Sequence, residues 1–472
     1  MTLARQIAHN TLWQILGKAI GVAAGVVMIA LLTRYLGQTN FGYYTTALAF
    51  MQFFGVLVDM GLYLIALKEI SAKPEKENSI LSNIFTLRFF SALIFLGGAS
   101  ALIFVFPYPS VVKWSAALVS LGFFFMALTQ ILTAPCQKYL KMGEAALAEA
   151  AGRIVLLGAM VLLIVYRQNL PAMMLSNVSA TLVNFLILWW VVKKTVKITW
   201  AFDFHYWQEV CIKAWPIALG IAFNLVYFRA DTIILAVFRP AAEVGLYGAP
   251  YKMLEIIATF PHMFMGLVMP ILTASWLEQN LERFKNVMQK TFDFFVMLAV
   301  PMVLGSLPLA DKIMKLVAGQ QFIASGPLLP ILMLATGFIF LGTLFTYTLV
   351  VLDKQKPMLK YFFLAAVLSL IGYFIFIPRY SYFGAAWVTV AIEGLIALSA
   401  FYLTFQLTKT KLSLNVFIKS LISGLVMMFA LYSMSNLPIL IALLLAVMIY
   451  GIIMILIKGI DYQLLKNMVR LK

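Results

Sequence analysis

Apolar residues fill this chain in stretches about 20 residues long, and most of these stretches are apolar all round rather than on one helical face. Such segments predict membrane-crossing helices, each of which needs roughly 20 apolar residues. Transmembrane strands would alternate apolar and polar positions instead. Cutting the chain at charge clusters and at Gly, Pro and Asn punctuation predicts spans at 11–33, 41–67, 79–105, 114–135, 145–165 and 171–192. A second set falls at 211–237, 245–275, 291–310, 326–352, 358–377 and 382–404, and two more at 416–435 and 438–457. The expected fold class is an all-α polytopic membrane protein of about 14 transmembrane helices. The stretch 245–275 carries Pro250, Pro261 and Pro270 and is predicted to kink. The first stretch is too long for a signal core and contains Lys18, so it reads as a retained span.

Composition agrees: 63% of the 472 residues are hydrophobic and 11% charged, against about 25% charged in soluble domains. The net charge of +17 would suggest a nucleic-acid partner, but the placement of the charges argues for a membrane and against nucleic acid. With the chain starting inside, the outer loops hold only Arg34, Lys113, Arg167, Arg239, Lys312, Lys315 and Arg379. Lys18, Arg88, Arg153, Arg229 and Lys252 fall within spans, and the other Lys and Arg residues lie on the inner side. This asymmetry predicts both termini in the cytoplasm. Cys136 and Cys211 lack metal-ligand neighbours and read as packing residues. The outer loops are short and offer no acid, base or metal cluster, so the chain is not expected to be an enzyme, and neither catalytic nor metal-binding residues nor a cofactor are assigned.

An internal repeat appears at an offset of 203: Leu32–Tyr44 (LTRYLGQTNFGYY) matches Leu235–Tyr247 (LAVFRPAAEVGLY) at Leu32/Leu235, Gly42/Gly245 and Tyr44/Tyr247. The repeat implies two six-helix lobes related by a pseudo-two-fold axis, at 1–192 and 211–404, with two added helices and a cytoplasmic tail at 405–472. Between the lobes, Trp200, Phe204 and Trp207 lie at i, i+4 and i+7, which predicts an interfacial amphipathic helix over the linker 193–210.

The opening NTLWQILGKAIGVAAGVV, the turn TRYLGQTNFGYY, Asp59-Met60-Gly61, Phe228–Asp231 (FRAD) and EVGLYGAPYKMLE resemble the polysaccharide-transporter branch of the multidrug/oligosaccharidyl-lipid/polysaccharide (MOP) exporter superfamily. The stretch around Val317-Ala318-Gly319 and Phe322 also resembles a recurring segment there, without the more usual Phe-Gly. The resemblance covers essentially the whole chain and implies a MATE-like MOP transporter fold. It further implies a Wzx-type flippase in the bacterial inner membrane, carrying undecaprenyl-pyrophosphate-linked oligosaccharide of O-antigen or capsule to the outer leaflet by alternating access. Its partners would be this lipid-linked substrate, membrane lipids and other glycan-assembly membrane proteins. Three alternatives stay open: a multidrug or toxin cation antiporter of the same superfamily, a membrane glycan polymerase or ligase, and a non-transporting partner or scaffold in glycan assembly.

A charge at the bilayer centre costs roughly 2.5 to 3.5 kcal/mol on insertion scales. The five cations within spans, Lys18, Arg88, Arg153, Arg229 and Lys252, are therefore the candidate substrate-binding residues for an anionic pyrophosphate. Competing structural roles are snorkelling for Lys18, an i,i+3 pair with Glu255 for Lys252, and pairing with Asp59 or Glu149 for Arg88 and Arg153. Arg229 leads, because Asp231 two positions on does not share its helix face. Asp231, Glu255, Asp59 and Glu393 are the candidates to carry a coupling ion, either H+ or Na+.

Overall fold

The computed structural model describes residues 3–59, 61–434 and 436–459, with side chains from Gly21 onward except at 216 and 217. The described residues form α1 (Leu3–Asp59), α2 (Leu62–Ala72), α3 (Glu77–Leu102), α4 (Ser110–Lys138), α5 (Met142–Val165), α6 (Leu170–Val192) and α7 (Phe204–Phe238). Next come α8 (Ala241–Leu277), α9 (Leu281–Ala318), α10 (Leu328–Val351), α11 (Met358–Thr408), α12 (Asn415–Ser433) and α13 (Ile439–Leu456). No strand occurs among them. By length and apolarity there are 12 candidate membrane spans.

Two of those spans are twice the length of a crossing. At 1.5 Å per residue, α1 would run about 85 Å if straight, against a hydrocarbon core of about 30 Å. The helix is interrupted at Gly37 (φ 67°, ψ −177°), a conformation that only glycine adopts cheaply. The helix α11 is interrupted in the same way at Ser381 (φ 53°, ψ −136°). Counting each as two segments recovers the fourteen read from hydropathy. By contrast α8 continues as one helix through Pro250, Pro261 and Pro270. The expected outer loop after residue 310 is mostly helical: α9 ends only at Gly319 (φ 95°), and Phe322 beyond it is fully buried.

The chain divides into two compact units, Met1–Gly245 and Leu246–Lys472. In the first, α4 packs on α6, α3 and α1, α5 packs on α6 and α1, and α7 lies against α1. Leu62, Ile65, Ile84, Leu128, Ile131, Leu188 and Val210 form an apolar core in it, which also takes in Cys136. In the second unit, α10 packs on α11 and α9, and α12 on α9 and α13. Leu440, Leu444, Val447 and Leu456 of α13 are exposed, as a face turned to lipid requires.

The repeat has a physical counterpart inside the first unit. A Cβ on Gly42 would lie 1.8 Å from the Ala241 carbonyl oxygen, and one on Gly245 would lie 2.0 Å from that of Gln38. Gln38 and Ala241 are themselves separated by the offset of 203, so the two glycines make reciprocal contacts at one close helix crossing. Leu32 and Leu235, and Tyr44 and Tyr247, are all fully buried.

The linker departs from the expected amphipathic helix. Residues 196–203 form an extended strap, and α7 begins only at Phe204, where the Asp203 side chain caps it by accepting from the Tyr206 amide at 3.0 Å. The reason is competition for backbone donors. The amides of Lys197, Thr199, Ala201 and Asp203 donate to Asn78 Oδ1 (3.0 Å), Ser82 Oγ (3.0 Å), Thr86 Oγ1 (3.2 Å) and Asn83 Oδ1 (2.9 Å), all on α3. The same end of the unit is tied by ion pairs from Glu69 to Lys213 (2.8 Å) and from Glu77 to Lys138 (2.7 Å). Glu77 also accepts from the Tyr139 hydroxyl, which holds that phenol above its usual pKa.

Candidate functional site: a cation-lined cavity in the first unit

Three helices contribute residues at helical spacing to one cavity of about 210 Å³. Gln52, Gly55, Val56 and Asp59 come from α1, Phe123, Met126, Ala127 and Gln130 from α4, and Leu225 and Arg229 from α7. Steps of three, four and seven place each set on one helix face. Arg88 of α3 completes the lining.

Arg88 is fully buried, with its donors directed at neighbouring helices. Its Nε donates to the Ala127 carbonyl (3.1 Å), Nη1 to the Val58 carbonyl (2.5 Å) and Nη2 to Gln130 Oε1. Nη1 also lies 3.0 Å from Asp59 Oδ1. Val58 sits at the end of α1, where carbonyls lack intrahelical partners and the helix dipole is negative, so a guanidinium there satisfies both. Asp59 Oδ1, although in ionic contact, accepts no aligned hydrogen bond among the described residues, and neither does Gln52 Oε1. Arg229 is half-buried on the opposite helix, with its guanidinium 5.5 Å from the Phe228 ring centre. The cavity thus sets two guanidinium groups against one carboxylate, an arrangement suited to phosphate oxygens.

The structure brings together Asp59, Arg88 and Arg229 of the residues singled out in the sequence. Arg153 is half-buried on α5 and pairs with Glu149 at 3.5 Å. Lys252 and Glu255 pair at 2.8 Å along α8. Asp231 is fully buried and its Oδ1 accepts from the Thr232 amide, while Glu393 is buried in α11 of the second unit. The Lys18 side chain lies outside the described residues. Gln52 and Gln130 were not anticipated, although each is a polar residue at i, i+7 from another lining residue in an otherwise apolar span.

A family model described as polysaccharide biosynthesis protein matches residues 7–276, more than half the chain. The chain belongs to the polysaccharide biosynthesis protein family. A Shigella flexneri relative described as an O-antigen transporter is 22% identical over 356 residues, which is 71% of this chain and 82% of that protein. Among solved structures, the lipid II flippase MurJ in an inward closed conformation aligns with a TM-score of 0.77 at 13% identity, covering 98% of this chain and 100% of that one. An inward-facing multidrug resistance MATE transporter of the MOP superfamily aligns with a TM-score of 0.59 at 13% identity, covering 84% of this chain and 98% of that one. The fold is therefore that of MOP transporters, as the sequence resemblance implied, and all the residues of the cation-lined cavity fall within the segment that the family model matches.

Proposed function

We propose that this member of the polysaccharide biosynthesis protein family is a flippase for undecaprenyl-pyrophosphate-linked oligosaccharide repeat units. It carries them from the cytoplasmic to the outer leaflet of the inner membrane by alternating access. Its family and its transporter fold support movement of a lipid-linked glycan precursor. The observation that carries the finer reading is the pair of arginines, Arg88 and Arg229, around one cavity inside the membrane-spanning part of the first unit. A pyrophosphate diester cannot cross hydrocarbon unaided, and fixed guanidinium groups in a wet recess lower that barrier. In this reading Arg229 meets the pyrophosphate, because it is half-buried at the cavity whereas Arg88 is fully enclosed between helices. No bond is made or broken, so two states of different exposure suffice. An H+ or Na+ gradient supplies direction, and Asp59 becomes the first acid to test as carrier because it lines the cavity.

The test uses purified protein in liposomes and follows a labelled prenyl-pyrophosphate oligosaccharide between leaflets under an imposed gradient. Wild type is expected to flip it, and Arg229→Ala to be slower by roughly tenfold or more with its fold intact, the cost of one charge-assisted hydrogen bond. A wild type that exports a cationic dye and leaves the glycan lipid in place would replace this reading by drug extrusion. Elongation of the glycan would replace it by polymerisation.

A further inference from the structure

We infer that a second recess, at the end of α6, binds the phosphate headgroup of an anionic phospholipid. It is lined by Trp189, Lys193, Val196, Lys197, Ile198 and Thr199, holds about 260 Å³ and shares no residue with the arginine cavity. That volume lies just below the range of about 300 to 1,000 Å³ usual for small-molecule sites. It has room for a phosphate headgroup.

Three features make the recess a built site. First, it is rigid: the strap that forms one wall is fixed to α3 by four backbone donors, from Lys197 (3.0 Å) to Asp203 (2.9 Å). Second, its cations are uncommitted. Lys194 lies 3.1 Å from the Trp190 ring centre and Lys141 donates to Thr195 Oγ1 at 3.1 Å, whereas neither Lys193 nor Lys197 has a carboxylate at ion-pair distance among the described residues. Nearby acids are engaged, with Glu77 on Lys138 and Glu69 on Lys213. Third, the segments that flank it in the chain are aromatic and exposed: Trp190, Trp200, Phe202 and Phe204 stand out from the surface. Trp residues seek the level of lipid headgroups, and lysines beside them attract anionic ones. A phosphodiester seated between Lys193 and Lys197, with the Thr199 hydroxyl beside it, would run its acyl chains down the apolar face of α6. Clamping the strap, such a lipid would fix the entry to α7, the helix that carries Arg229.

The measurement counts lipids retained by the full-length protein in native mass spectrometry after transfer from vesicles of phosphatidylcholine with or without phosphatidylglycerol. Wild type is expected to retain one phosphatidylglycerol that Lys193→Ala/Lys197→Ala loses, with affinity down about thirtyfold for two surface lysines. Lys193→Arg/Lys197→Arg should restore it and shows that the loss is not misfolding. Equal retention by wild type and the alanine pair overturns the proposal. So does displacement of the bound lipid by millimolar inorganic phosphate, which would make the site one for soluble anions, or preferential retention of a prenyl pyrophosphate, which would make it part of the transport path.

Discussion

Arg88 and Arg153, alike in the sequence as cations within spans, have different physical situations. Arg88 is enclosed and meets acceptors from two other helices, including the carbonyl end of α1 and Asp59. Removing it strands a partly buried carboxylate and a helix end, a change that typically costs about 3 to 5 kcal/mol. Arg88→Ala is therefore expected to lower the melting temperature in detergent sharply, and Arg88→Lys to recover part of the loss, since one ammonium cannot reach every acceptor of the planar fork. Arg153, solvent-accessible at its tip and paired along its own helix with Glu149, predicts the opposite: Arg153→Ala should alter stability by no more than about 1 kcal/mol. Thermal unfolding of the variants side by side checks both. Spacing in the sequence distinguished Lys252 and Arg153, whose partners lie three or four residues away, but could not decide Arg88, because Asp59 and Gln130 reach it through the fold.

At the scale of elements, hydropathy made the spans legible and the backbone made two of them breakable. The crossing at Gly42 and Gly245 leaves no room for a methyl group, since the obstructing atoms are backbone carbonyl oxygens. Gly42→Ala or Gly245→Ala must push two helices apart, and each is expected to abolish the monodisperse peak in size-exclusion chromatography. Gly97→Ala is the matched control: its Cβ would meet nothing within 4 Å, and alanine gains up to about 1 kcal/mol in a helix. The repeat that pairs these glycines was visible as a spacing of 203, whereas their contact was not. The strap at 196–203 shows the opposite failure. Trp200, Phe204 and Trp207 have helical spacing, yet only the last two join α7, and the course of 196–203 is decided by Asn78, Ser82, Asn83 and Thr86, a polar stripe on α3 that is spaced to serve an extended neighbour.

For the molecule as a whole, fourteen candidate crossings and the bias of Lys and Arg predict one orientation, and that orientation can be checked without any substrate. Val105, in the turn after α3, is 81% exposed and belongs to a loop on the side poor in lysine. Lys411, between α11 and α12, is exposed on the side rich in it. Cys136 is buried and Cys211→Ser removes the other native thiol, so each variant carries one accessible cysteine that reports one loop. A membrane-impermeant maleimide is expected to label Val105→Cys in intact cells and Lys411→Cys only after the membrane is opened. The arrangement matters beyond topology, because the strap with Lys193 and Lys197 must then share the side of Lys411, facing the anionic inner leaflet. Labelling in the reverse order would turn those lysines outward and would oppose the direction of transport to the charge asymmetry. Both the headgroup site and the inner-to-outer flipping of a pyrophosphate lipid therefore depend on the same two cysteines reacting on opposite sides.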